Sequence, residues 1–264
     1  MAVAFDNSAY VGSSTGNFSA AYSVGSVSNP ALFVFIFSNA ASDNITGVTY
    51  NGVAMTRVGF NANVSSIGTS YGYYLANPAT GSHNIAVTET DTSKTIIVGA
   101  SSYAGCPGAQ VNTSNQGTAT SATSFSISTT TTKDNDWTVM GLAFSSSDPS
   151  VVAGTTKRSG NAVGIGMYDS NAAITPAGST SLGVTSSSQN FAGVLISIYP
   201  VKASTFSSSV ESVTSSDSTS TFVLGRTILS SVETISSSEP NLSIKKGWVD
   251  TSKGNTSWIN TTKT

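Results

Sequence analysis

The chain of 264 residues predicts an all-β sandwich. Three observations carry that expectation. Short runs rich in β-branched and aromatic residues recur roughly every 8–14 residues through residues 1–200. Gly, Asn, Pro and Ser fill the intervals, supplying the backbone conformations that turns need. No stretch sustains a helical period with caps at its ends.

Taken in order, the opening MAVAFDNSAY runs straight into a strand. Further strands are expected over Phe18–Val24, Ala31–Phe37, Ile45–Tyr50, Met55–Phe60, Tyr71–Leu75 and Asn84–Thr90. Thr95–Tyr103, Ser124–Ser128, Trp137–Phe144, Val163–Tyr168 and Phe191–Tyr199 follow. The run LFVFIF, residues 32–37, is apolar at every position. Such a strand is covered on both faces, or turns its outer face to a partner. HNIAVTET alternates instead, with Ile85 and Val87 on one side and Asn84, Ala86 and Thr88 on the other, as a half-exposed strand does. Asn51-Gly52 is a hairpin signal joining Val48–Tyr50 to Ala54–Val58. Tyr71 and Tyr73 share one face of their strand while Tyr74 takes the other. That pair is a candidate platform for stacking on a sugar, set against a reading as core or inter-subunit packing.

From Val201 the composition changes, and Ser and Thr make up nearly half of what remains. Ser208–Val213 and Ser230–Ile235 are similar pieces offset by 22 residues, with a Phe222–Leu224 strand between them. The chain then carries Trp-Val-Asp-Thr-Ser-Lys from Trp248 and Trp-Ile-Asn-Thr-Thr-Lys from Trp258. Short repeats of this kind bury little apolar surface alone, so they are expected to order only against a partner. The expected organisation is a sandwich over residues 1–200 and an extended β-rich assembly arm over residues 201–264. Phe222, Trp248 and Trp258 are the arm's candidate anchors, because aromatic side chains concentrate binding energy in interfaces.

Charged residues are 9% of the chain, against roughly 25% in an average soluble protein, and the net charge is −2. No basic field attracts nucleic acid. The longest apolar run, residues 31–37, is far short of a membrane span. Neither nucleic acid nor membrane is an expected partner. The composition suits an extracellular or particle surface, yet no secretory leader precedes the first strand. A virion protein, made in the cytoplasm and released with its particle, reconciles the two.

Chemistry-bearing groups are sparse. His83 is the lone histidine and Cys106 the lone cysteine, so neither a catalytic triad around another His nor an internal disulfide is available. Cys106 reads as a small buried residue and His83 as a structural residue at a strand start. No His/Cys cluster suits zinc, and no Gly-rich loop leads into a helix to cradle a nucleotide. Asp6, Asp43, Glu89, Asp91, Asp134, Asp136, Asp148 and Asp169 are the carboxylates a glycosidase could draw on. None is placed within a strand on a concave face. Asp134-Asn135-Asp136 could ligate calcium, but Asp and Asn also favour turns that start strands. The expectation is no enzyme, no cofactor and no resident metal.

The succession NPALFVFIFSN, ITGVTYNGVAMTRVG, YGYYLANPATGSHNIAVTET and IIVGASSYAG resembles a jelly-roll domain of bacterial secreted and phage structural proteins. In that family a buried strand precedes a VTYGG-x-x-[LM]-T-x-V hairpin and a YYL-x-N-P-x-x-G-x-H turn. The resemblance spans about residues 3–200. It implies a jelly-roll sandwich akin in architecture to concanavalin-like carbohydrate-binding domains. The two Trp units are similar to Trp/Phe-x-Asn-x-x-Lys units near the ends of phage and related bacterial surface proteins. The functional expectation is a virion structural subunit: a capsid decoration, head-fibre or tail-associated protein. It would expose its sandwich at the virion surface and bind other virion subunits or copies of itself. The alternatives are an extracellular module that binds a host-surface glycan or adheres, and a self-assembling surface filament.

Overall fold

A computed structural model describes residues 2–64, 68–106, 111–161, 164–200, 246–250 and 255–259. The chain divides into two compact units, Met1–Ser204 and Thr205–Thr264. Every helix or strand among the described residues is a strand, and every ladder between them is antiparallel. The protein is all-β, with its sheets packed in sandwich fashion.

In the first unit, a central sheet contains β1 (Ala4–Thr15), β3 (Ala31–Ser38), β6 (Thr56–Val64), β7 (Gly68–Ala76) and β9 (Thr95–Ala104), in the order β1-β9-β3-β7-β6. A second sheet contains β2 (Phe18–Val24), β4 (Ile45–Tyr50), β5 (Val53–Ala54) and β8 (Gly81–Glu89), in the order β2-β8-β4-β5. A third contains β10 (Val111–Thr130), β11 (Trp137–Phe144), β13 (Thr156–Gly160), β14 (Gly164–Asp169) and β15 (Ser179–Ile198), ordered β10-β15-β11-β14-β13. The two-residue β12 (Ser150–Val151) also pairs with β15. In the second unit, β16 (Lys246–Asp250) pairs with β17 (Asn255–Ile259).

The double apolarity of LFVFIF has its cause in this layering. β3 is the middle strand of the central sheet. Leu32, Val34 and Ile36 pack toward the second sheet with Ile85, Val87, Val48 and Tyr50. Phe33 and Phe35 pack toward the third sheet with Val139, Met167, Val194 and Ile196. Successive strand side chains point to opposite faces, so a sheet covered twice must be apolar at consecutive positions. Each such side chain, fully buried, contributes about 1.5–3 kcal/mol.

β11 repeats the pattern one layer out. Trp137, Val139 and Ala143 face the central sheet, while Met140, Leu142 and Phe144 face a further cluster. The cover on that side comes from β10 and β15 themselves. Their ladder slips between Ala119 and Ala122 and again before Ser124. Such bulges bend a ribbon. Beyond the bend, Phe125, Ile127, Leu182 and Val184 lie over Met140, Leu142 and Phe144. Phe125 stacks on Phe191, ring centroids 5.4 Å apart, although Phe191 pairs with Ala119 on the near side of the bend. The sequence reading had only the far end of β10 and only the near half of β15.

The hairpin at Asn51-Gly52 forms as expected, with Thr49 opposite Ala54 and Tyr50 opposite Val53. Both turn residues have positive φ, 50° and 77°, the conformation that favours Asn and Gly there. The chain leaves the second sheet at buried Met55, and Thr56 begins the edge strand β6 of the central sheet.

The central and third sheets are tied along both margins. On one side Gln116 Oε1 accepts from Phe60 N–H at 2.9 Å, and Asn61 Nδ2 donates to Gly193 O at 2.8 Å. On the other, the Ser8 and Ser159 hydroxyls are 2.5 Å apart.

Candidate functional site

Phe222 lies outside the described residues. Trp248 and Trp258 occupy β16 and β17, whose register sets Trp248 opposite Ser257 and Trp258 opposite Gly247. The two strands that carry Trp248 and Trp258 therefore pair antiparallel with each other, and the Trp residues are not register partners.

The stacking platform is corrected by the structure. Tyr71 is fully buried and Tyr73 is 5% exposed, both packed in the core between the second and central sheets. Tyr71 donates its hydroxyl proton to Asn44 Oδ1 at 3.0 Å. Neither ring presents a face to a sugar, because the second sheet covers this side of β7. Burial pushes the Tyr73 hydroxyl up to about 12.

The Asp134–Asp136 turn brings its carboxylates to different tasks. Asp134 Oδ1 accepts from Ala177 N–H at 2.7 Å. Asp136 is fully buried, and its Oδ2 accepts from Asn112 Nδ2. Burial raises the Asp136 carboxyl above the usual carboxylate range. Asn135 has φ of 68° and its N–H donates to Ile174 O, as in a turn that opens a strand. Among the described residues no three His, Cys, Asp or Glu groups come together as metal ligands.

His83 sits at the β8 margin, its Nε2 3.0 Å from Thr80 O and its ring edge-on to Tyr50. Cys106 is 1% exposed, and burial raises its thiol to about 12, so almost none is thiolate at neutral pH.

Two polar clusters were not assembled from sequence. In the first, Asp169 on β14 is fully buried between the sheets. Its Oδ2 accepts from Arg158 Nε at 2.7 Å and from the Tyr103 hydroxyl at 3.0 Å, and its Oδ1 accepts from Asn171 N–H. Arg158 also lies 4.2 Å above the Phe5 ring. Three strands, β9, β13 and β14, thus meet on one carboxylate with both oxygens engaged, and β1 joins through Phe5 against Arg158. Desolvation, reinforced by the Asp169 charge, raises the Tyr103 hydroxyl well above its ordinary range. A saturated, enclosed carboxylate braces sheets; it has no free oxygen to move a proton. The legible signal was the scarcity of arginine, of which the chain has three, Arg57, Arg158 and Arg226.

In the second, Glu89 Oε2 accepts from Asn44 Nδ2 at 2.7 Å, while Oε1 is buried without a partner. Burial raises the Glu89 carboxyl above its ordinary value. Of the sequence-nominated carboxylates, Asp43, Asp91 and Asp148 form ion pairs with Arg57, Lys94 and Lys157. Asp6 accepts from Gly25 N–H and the Ser102 hydroxyl.

A small apolar void lies between the central and third sheets, lined by Phe35, Gly72, Gly141, Met167 and Val194 among others. It carries no convergent polar groups. No family model matches the chain, and neither a curated protein nor a solved structure was found to match it.

Proposed function

We propose that the protein is a non-enzymatic structural subunit of a virus particle. Its first unit is the displayed body, and the Thr205–Thr264 unit attaches it to sister copies or to other virion proteins. The observation that carries this reading is the antiparallel pairing of the two strands that hold Trp248 and Trp258, in a compact unit of its own. Two strands of five residues are too little sheet to stand alone in water. Such a strand pair packs against a further surface, and in this reading a second copy or a neighbouring subunit contributes to it. Extended segments add readily to a neighbour's sheet, and Trp residues are effective anchors there.

The strand orders β1-β9-β3-β7 and β2-β8-β4-β5 support the jelly-roll part of the reading. They are the orders of an eight-stranded double Greek key, an architecture that serves viral capsids and lectins alike. Fold alone does not choose between these. The lectin-like alternative loses its nominated platform, since Tyr71 and Tyr73 are core residues.

The test is solution mass by light scattering on the full chain and on residues 1–204, a unit with its own core. The expected result is a defined oligomer or filament of the full chain, larger than any formed by residues 1–204. Equal oligomeric states, with residues 205–264 clipped rapidly by protease, would overturn assembly through the arm.

A further inference from the structure

Edge strands invite pairing with other chains, and most proteins blunt them. The Met1–Ser204 unit blunts nearly all of its own. β5 and β12 are two residues long. β1 and β6 each carry two register shifts, β10 three and β13 one. β13 also bears Lys157 and Arg158. Among the described strands the exception is β2. Its seven residues, FSAAYSV, run in unbroken register against β8 from Phe18 opposite Val87 to Val24 opposite Gly81. It contains no charge, no Pro and no Gly.

The direction of its free groups can be derived. Asn84 O accepts from Asn51 N–H, at the β4 side of β8. In an antiparallel sheet the N–H and C=O of one residue point the same way. Ala21, opposite Asn84, therefore turns both groups away from β8, and alternation does the same for Ser19 and Ser23. Asn7 Nδ2 uses one lone pair of Ser23 O, at 2.8 Å. Among the described residues β2 pairs with no strand other than β8.

We propose that β2 is a homodimer interface, in which two copies pair edge to edge, antiparallel, about a two-fold axis at Ala21. The second sheets of the two copies, four strands each, become one continuous sheet. An isologous contact must be complementary to itself. About this axis Ala21 meets the second copy's Ala21, and Ser19 meets the second copy's Ser23. These side chains are small, uncharged and exposed, so at these positions no like charges and no bulky groups meet. The interface is independent of the arm and would persist without it.

The experiment is sedimentation velocity on residues 1–204 and on the full chain, each as wild type, Ala21→Lys and Ala21→Glu. Position 21 is exposed, and circular dichroism checks that each variant is folded. Residues 1–204 should sediment as a dimer, and either variant should halve the mass by setting like charges directly opposite. Mixing the Lys and Glu variants should restore the dimer. Monomeric wild-type residues 1–204, an Ala21→Lys variant of unchanged mass, or a failure of mixing to restore the dimer would each overturn the proposal. Failure of the arm reading looks different: the full chain would match residues 1–204 in number of copies whatever stands at position 21.

Discussion

Asp169 and Glu89 are both buried carboxylates, but they bear opposite relations to stability. Asp169 is fully compensated by Arg158, Tyr103 and Asn171. Removing one partner of a buried ion pair leaves an unpaired charge, at about 3–5 kcal/mol. Arg158→Met is expected near the lower end, about 3 kcal/mol, because that side chain is 15% exposed. Tyr103→Phe keeps the ring and loses one bond to a charged acceptor, so about 2 kcal/mol is expected. Urea midpoints at constant slope would measure both. Glu89 is under-compensated, and burial raises its folded pKa above its unfolded one. The folded state then binds the proton more tightly, so this group's contribution falls as pH rises from the unfolded value through the folded one. Glu89→Gln removes the titration. Its melting temperature relative to wild type should be highest near neutrality and should decline as pH is lowered through that window. Parallel curves would show that Glu89 does not titrate differently on folding.

At the scale of elements, the spacing between central and third sheets is set where two strands touch. A Cβ on Gly141 of β11 would fall 2.1 Å from Phe35 Cγ on β3. Neither strand can yield without moving its sheet, so Gly141→Ala is expected to cost about 3 kcal/mol or more. Thermal melting of the variant is the measurement, and a loss below about 1 kcal/mol would mean that the ring has room to rotate. The strands themselves were largely legible. Phe18–Val24, Ile45–Tyr50 and Trp137–Phe144 stand where the apolar runs end and turn residues begin. The bend in β10 and β15 was not legible. It lies in Ser/Thr-rich sequence, ATSATS and VTSSSQ, whose polarity hides a continuing ladder. β13, TKRSG, has no apolar alternation because it is an edge strand held on one side. The buried role of Arg158 was hidden for the same reason: a charged residue in a polar stretch reads as surface until its partner is known.

Across the whole molecule, the sequence told that LFVFIF had cover on both faces but not what supplied it. The cover is the chain's own third sheet, whose contacting residues Val139, Met167, Val194 and Ile196 lie more than a hundred positions later in sequence. A periodicity reports how many faces are buried; the identity of the neighbour is a long-range fact. The tyrosine platform failed by the same rule, since Tyr71 and Tyr73 face the second sheet. Burial of Tyr71 and Tyr73 could not be read from their strand alone, because the covering strands lie elsewhere in the sequence.

The doubly covered central sheet also acts as a clock. An amide can exchange its hydrogen for deuterium only when its bond opens to water. The backbone groups of β3 are bonded to β7 and β9 in the plane of the sheet, with apolar layers above and below. Small excursions that release an edge such as β13 or β5 leave these amides shut. Their exchange should therefore wait for opening of the entire unit and report its full unfolding free energy, while amides of the second sheet's solvent-facing edge exchange through lesser openings. Residue-resolved exchange that found β3 as fast as β5 would mean that the layers part more easily than their packing implies.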